Sequence, residues 1–164
     1  MYTLSNPWNT KVILIRNGGL DMIKDVINEI TQQLKQVNIT HISVNRAPLQ
    51  RLYQILETHA IIPENYFSYF VSYGLLFLHL DTHQKLKENS DDRQCKKIIL
   101  YGDLFYSLYY DYTIRHAFPL IKNNIFQHLK NYEITSMTHS GADKVLNGWV
   151  RIIAEEEGYD GISN

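Results

Sequence analysis

The 164 residues carry 16 Lys and Arg against 17 Asp and Glu, a formal charge of -1, with 45% apolar and 20% charged residues. That balance fits one soluble globular domain with a substantial core, and it gives no electrostatic reason to bind nucleic acid or an anionic membrane surface. Cys95 is the only cysteine, which forbids an intrachain disulfide. The N-terminus lacks a basic, apolar and small-residue leader pattern, and no apolar stretch reaches the roughly 20 residues that span a bilayer, so the expected setting is a reducing cytoplasm.

The reading along the chain is of a single helical domain over 1–164, with residues 1–20 left as an N-terminal arm of open structure. Lys11 to Arg16 (KVILIR) ahead of Asn17-Gly18-Gly19 is too short for periodicity to separate a strand from an arm. From Asp21, read as an N-cap, the apolar residues Met22, Ile23, Val26, Ile27, Ile30, Leu34 and Val37 recur at helical steps. A polar link runs from Asn38 to Arg46, and Pro48 opens a second helix through Leu49, Leu52, Ile55 and Leu56 that ends near Ala60. Pro63 opens a third, carrying Tyr66, Phe67, Phe70, Val71, Leu75 and Leu78 with further apolar residues on its other faces, the mark of a buried helix. After the loop Glu88 to Gln94, Ser90 or Asp91 caps a fourth helix that runs through Tyr101 and Tyr112 towards His116. Pro119 interrupts the path before a fifth segment around Leu120 to Leu129, and Val145, Leu146, Trp149, Ile152 and Ile153 set out a last helix reaching Gly158. The predicted fold class is therefore all-α, a bundle of about six helices.

Aromatic content is the outlier, with 12 Tyr and 6 Phe, many of them between Tyr66 and Tyr112. On the fourth helix Tyr101, Phe105, Leu108 and Tyr112 form one stripe, and Ile98, Tyr106, Tyr109 and Thr113 form an adjoining one. Two stripes call for two partners, so one is expected to meet the chain's own helices and the other a second subunit. The alternative is that the whole helix forms the centre of a monomer.

The stretch Leu80-Asp81-Thr82-His83, a charged loop with Lys85, Lys87 and Arg93, and Gly102-Asp103-Leu104-Phe105-Tyr106-Ser107-Leu108-Tyr109-Tyr110 follow in an order and spacing that carry a resemblance. Over about Asn38 to Asp111 the chain resembles the small subunit, component one, of heterodimeric heptaprenyl diphosphate synthases. Leu104 stands where that family has an aromatic after Gly-Asp, and the serine falls at Ser107. The resemblance implies a reduced prenyl synthase fold and a non-catalytic chain. It marks Asp81, His83, Gly102 and Asp103 as family-motif positions and Tyr101, Phe105, Tyr106, Tyr109 and Tyr112 as a partner or product-tunnel interface. It also implies a catalytic large subunit as partner, with magnesium held on that subunit and no cofactor in this chain, in a synthase serving menaquinone side chains.

The residues themselves agree that prenyl transfer needs more than this chain supplies. Ionising an allylic diphosphate requires magnesium held between two facing carboxylate-rich motifs, whereas Asp81 stands alone and no Asp-Asp-x-x-Asp run follows Asp103. Asp91 and Asp92 point about 100° apart on a helix and suit its N-terminus, where negative charge is favoured. A second expectation, of a different class, is a metalloenzyme built on His79 and His83, which share a helical face, with Asp81 and Asp103. A third is a helical adaptor that uses the aromatic face for another partner. Cys95 beside Lys96 and Lys97 has no base or oxyanion constellation around it, and Asn17-Gly18-Gly19 lacks the Lys-Ser/Thr of a phosphate loop.

Overall fold

The computed structural model describes residues 7–61, 66–88, 91–116 and 141–156, together with Gly158. Among these, five α-helices and one 3-10 turn account for the regular structure, with no strand. They are α1 (Pro7–Gln36), α2 (Ala47–Thr58), α3 (Tyr66–Lys85), α4 (Asp92–Arg115) and α5 (Gly141–Glu156), with the 3-10 turn at Leu86–Glu88. The all-α expectation is met at this level. The segment expected around Leu120 to Leu129 lies outside the described residues.

Helix α3 is the axis of the fold. It packs most extensively on α4 and also touches α1, α2 and α5, and residues 69–76 are buried without interruption. That is what an apolar-all-round helix must do, since each of its faces needs a cover. Helix α1 contributes the stripe read from its sequence, with Met22, Ile23, Val26, Ile30 and Leu34 buried and Ile27 and Val37 half-buried. Helix α2 buries Leu49, Leu52 and Leu56, and α5 buries Val145, Leu146, Trp149, Ile152 and Ile153. Trp149 meets Tyr73 edge to face at 6.0 Å, which fixes α5 on the central helix.

The N-terminal region departs from the reading. Lys11 to Arg16 and Asn17-Gly18-Gly19 belong to a 30-residue α1, so Asp21 lies inside a helix and does not cap one. Gly19 has a packing role: a Cβ there would lie 2.7 Å from Cζ of Tyr53, so its absence lets α1 approach α2. Helix-interior glycine costs about 1 kcal/mol against alanine, a cost that close packing offsets.

Helix ends follow local chemistry. Pro48 sits in the first turn of α2, where its missing N–H leaves no bond unmade. Asp91 is the N-cap of α4, its Oδ1 accepting from the Arg93 N–H at 3.0 Å. Asn38 and Ala60 both adopt positive φ, 62° and 53°, just beyond α1 and α2. In each case the next residue reaches back, Ile39 N–H to the Leu34 carbonyl and Ile61 N–H to the Leu56 carbonyl, both at 2.9 Å. Ile39 and Ile61 are buried, completing the apolar contact that closes such left-handed caps.

Candidate functional site

The two segments that carry the family motif meet across the α3–α4 contact. Gly102 of α4 is buried against the last two turns of α3, and an added Cβ would stand 2.9 Å from Cδ2 and 3.0 Å from Nε2 of His83. Only a residue without a side chain fits there. Beside it the Nδ1–H of His79 donates to the Gly102 carbonyl at 2.8 Å, which sets the tautomer of that ring. The His79 and His83 rings, one turn apart, lie 4.4 Å centroid to centroid, and Tyr106 of α4 covers His79 at 5.1 Å. His83 Nε2 is enclosed without a hydrogen-bond partner. Thr82 returns its hydroxyl to the Leu78 carbonyl at 2.7 Å, keeping a polar group satisfied in the same contact.

The two acidic motif residues do not join this cluster. Asp81 lies two residues from His79, about 200° around the helix. It is exposed, and its carboxylate pairs with Lys85 at 3.2 Å. Asp103 is also exposed, and its backbone carbonyl accepts the Ser107 hydroxyl at 3.0 Å. The set His79, Asp81, His83 and Asp103 therefore splits, with the histidines inside the helix contact and the carboxylates outside it. Among the described residues no three His, Cys, Asp or Glu side chains converge as a metal-binding group.

The aromatic residues of α4 are arranged differently from the two-partner expectation. Its buried face combines members of both stripes, Phe105 and Tyr112 from one and Tyr109 and Thr113 from the other, centred on Gly102. Phe105, Tyr109 and Tyr112 are 1%, 2% and 2% exposed, so the chain's own helices cover them and they are closed to direct contact with another subunit. Tyr101 and Tyr106 are half-buried on the flanks and keep exposed area. Tyr101 stacks on Phe105 at 6.1 Å, meets His41 edge on at 5.6 Å and has the Lys97 ammonium 6.0 Å from its ring centre. The reason for the difference is angular. Stripes about 90° apart on a helix merge into one broad face when the central neighbour, α3, is apolar all round.

Polar groups in this face are paired. Thr113 donates to the Tyr109 carbonyl at 2.7 Å and lies 3.1 Å from the Ser72 hydroxyl of α3. Burial pushes the Tyr112 phenol up to about 12, against a lowering hydrogen bond to Ser68. Burial, reinforced by the neighbouring Tyr106, drives Tyr109 higher still. Both phenols therefore stay protonated near neutral pH, and neither serves as a base there.

The sequence weighs His79 as a metal ligand against a capping or hydrogen-bonding histidine, and does not reveal that its hydrogen bond ties α3 to α4. The usable signal was its four-residue spacing from His83 opposite a lone helix-interior glycine. The partnership of Ser72 with Thr113 carried no such signal, because a hydroxyl on an apolar helix reads the same whether it bonds its own turn or a neighbour. No helix among the described residues is long and apolar enough to cross a membrane. Comparison with models of known families, with curated proteins and with solved structures yields no match to this chain.

Proposed function

We propose that the chain is the small, non-catalytic subunit of a heterodimeric trans-polyprenyl diphosphate synthase, required for activity and product length in its large partner. The observation that carries this reading is the meeting of its two motif segments. Leu80-Asp81-Thr82-His83 and Gly102-Asp103 come from different helices, yet they pack through His79, His83 and Gly102. A motif whose apolar and glycine positions keep a helix crossing, while its carboxylates face outward, suits a scaffold that supports chemistry elsewhere. Magnesium and the ionisation of the allylic diphosphate then belong to the large subunit, which supplies the paired carboxylate motifs this chain lacks.

In this role Tyr101 and Tyr106 are the aromatic residues placed to meet the partner or the growing prenyl chain, while Phe105, Tyr109 and Tyr112 hold them in position from behind. The product expected is hexaprenyl or heptaprenyl diphosphate for a menaquinone side chain, made in the cytoplasm. Co-expression with the catalytic subunit of such a synthase tests the reading, using farnesyl and isopentenyl diphosphates as substrates. Activity that needs both chains, and a complex that survives purification, is the expected result. Absence of any complex would overturn it. The adaptor reading would then lead, on the exposed Ile99, Leu100, Tyr110 and Ile114 of α4.

A further inference from the structure

The outward side of α4 carries a leucine ridge that the described residues cover only in part: Leu104 and Leu108 rest one edge on the chain's own core, and Leu100 stands clear of it. Leu100 is 71% exposed, and Leu104 and Leu108 follow at four-residue steps, each half-buried. Residues spaced by four form the ridge that packs between helices in the commonest crossing class. Lys97 lies one turn before the ridge and Asp111 one turn after it, both exposed. The ridge therefore has a basic end and an acidic end.

We infer that this face pairs antiparallel with the same face of a second copy of the chain, about a two-fold axis at Leu104. This inference stands independently of the prenyl synthase reading. In that register Leu104 meets its symmetry mate, Leu100 meets Leu108 of the other copy, and Lys97 meets Asp111 twice over. The alternatives are worse on charge or burial. Moving the axis so that Leu104 meets Ser107 sets Leu100 against Asp111, and moving it to Ser107 sets Asp103 against Asp111. Parallel pairing in register sets Lys97 on Lys97 and Asp111 on Asp111. Like charges held opposite one another are a recognised means of excluding wrong arrangements.

One like-charged approach remains, between Arg93 and Arg115 of opposite copies, and neighbouring carboxylates offset it. Asp111 holds Arg115 of its own chain at 2.9 Å, and Asp92 adjoins Arg93. Asp111 would then lie between its own Arg115 and Lys97 of the other copy, the smallest charge network, worth more than an isolated surface pair. A three-turn helix pair falls at the small end of protein interfaces, below about 1,200 Å² in total. The self-association is accordingly reversible, in the micromolar range.

Sedimentation velocity on the full chain across roughly micromolar to hundreds of micromolar concentrations tests this. A monomer–dimer equilibrium is expected, and Leu100→Glu, at a side chain with little to lose in folding, raises the half-dimer concentration by at least about tenfold. Lys97→Glu and Asp111→Lys each weaken self-association alone. An equimolar mixture of the two variants restores it, because each chain then offers the charge the other requires. A strictly monomeric chain overturns the inference, as does a dimer indifferent to Leu100→Glu or a mixture that fails to restore pairing.

Discussion

Replacing Gly102 by alanine isolates the α3–α4 contact. On an open helix face the change would stabilise, since alanine exceeds glycine in helix propensity by about 1 kcal/mol. At this position the new methyl carbon lies 2.9 Å from Cδ2 and 3.0 Å from Nε2 of His83, inside ordinary van der Waals contact. The His83 ring is backed by His79 at 4.4 Å, so it cannot retreat along its own helix face, and His79 is held to the Gly102 carbonyl. Overpacking of this kind costs about 1–3 kcal/mol. Gly102→Ala is thus expected to destabilise the chain by up to about 2 kcal/mol after the propensity gain. In a His83→Ala background the obstacle is gone, and the same substitution should stabilise by about 1 kcal/mol. Urea denaturation followed by far-UV circular dichroism on the four proteins of the cycle gives the coupling directly. If Gly102→Ala stabilises equally in both backgrounds, the close approach of α4 to His83 is refuted.

Other outcomes follow from named contacts. Ala60 holds φ 53°, a conformation that costs an L-residue about 1 kcal/mol, so Ala60→Gly should raise stability by up to that amount in thermal melts; a loss would mean that the left-handed cap is absent. Phe105→Ala should cost roughly 3–5 kcal/mol in the isolated chain by urea denaturation, because its ring is enclosed by the chain itself; a change under about 1 kcal/mol would return Phe105 to the surface. Tyr109 and Tyr112 have folded values above the unfolded value of about 10, so both favour the fold while neutral. Their contribution is intact below pH 10 and is withdrawn as pH rises towards and past about 12, where Tyr112 titrates in the fold. Alkaline titration should therefore show phenolate absorbance rising together with loss of helix, and smooth ionisation of every tyrosine with the helices intact would contradict the burial of both.

Much of the architecture was legible because periodicity reports burial directly. Met22, Val26, Ile30 and Leu34 face inward on α1 as their spacing requires, and Pro48 and Asp91 sit at helix starts for reasons local to a few residues. Gly19 shows where that logic stops. A glycine pair after a short apolar run leaves strand, arm and helix undecided, and only the position of Tyr53 shows that Gly19 serves a close helix approach. The Asp91-Asp92 pair reads correctly as a helix start because its physics is local. The candidate site was half legible for a related reason: residue spacing placed His79 and His83 on one face, whereas the carbonyl that His79 bonds lies 23 residues away.

The aromatic helix illustrates how a correct composition argument can point at the wrong side. Tyr109 and Tyr112 were read as partner-facing because a phenol combines a large ring with a polar tip, a combination common at interfaces. The same combination serves a core when hydroxyls meet the polar tips, as Thr113 of α4 does for Tyr109 and Ser68 of α3 does for Tyr112. Burial of these rings shifts the question of partners to the opposite side of α4. There the exposed large hydrophobic residues are Ile99, Leu100, Tyr110 and Ile114, Leu100 the most exposed of them, with charged residues between. Such a face favours a small, register-dependent contact. A partner that binds this helix should consequently be more sensitive to Leu100→Glu than to removal of any buried tyrosine hydroxyl. Tyr109→Phe, which keeps the ring, should leave binding unchanged in a pull-down with the catalytic subunit proposed as partner, and a loss of binding would place the phenol at the interface after all.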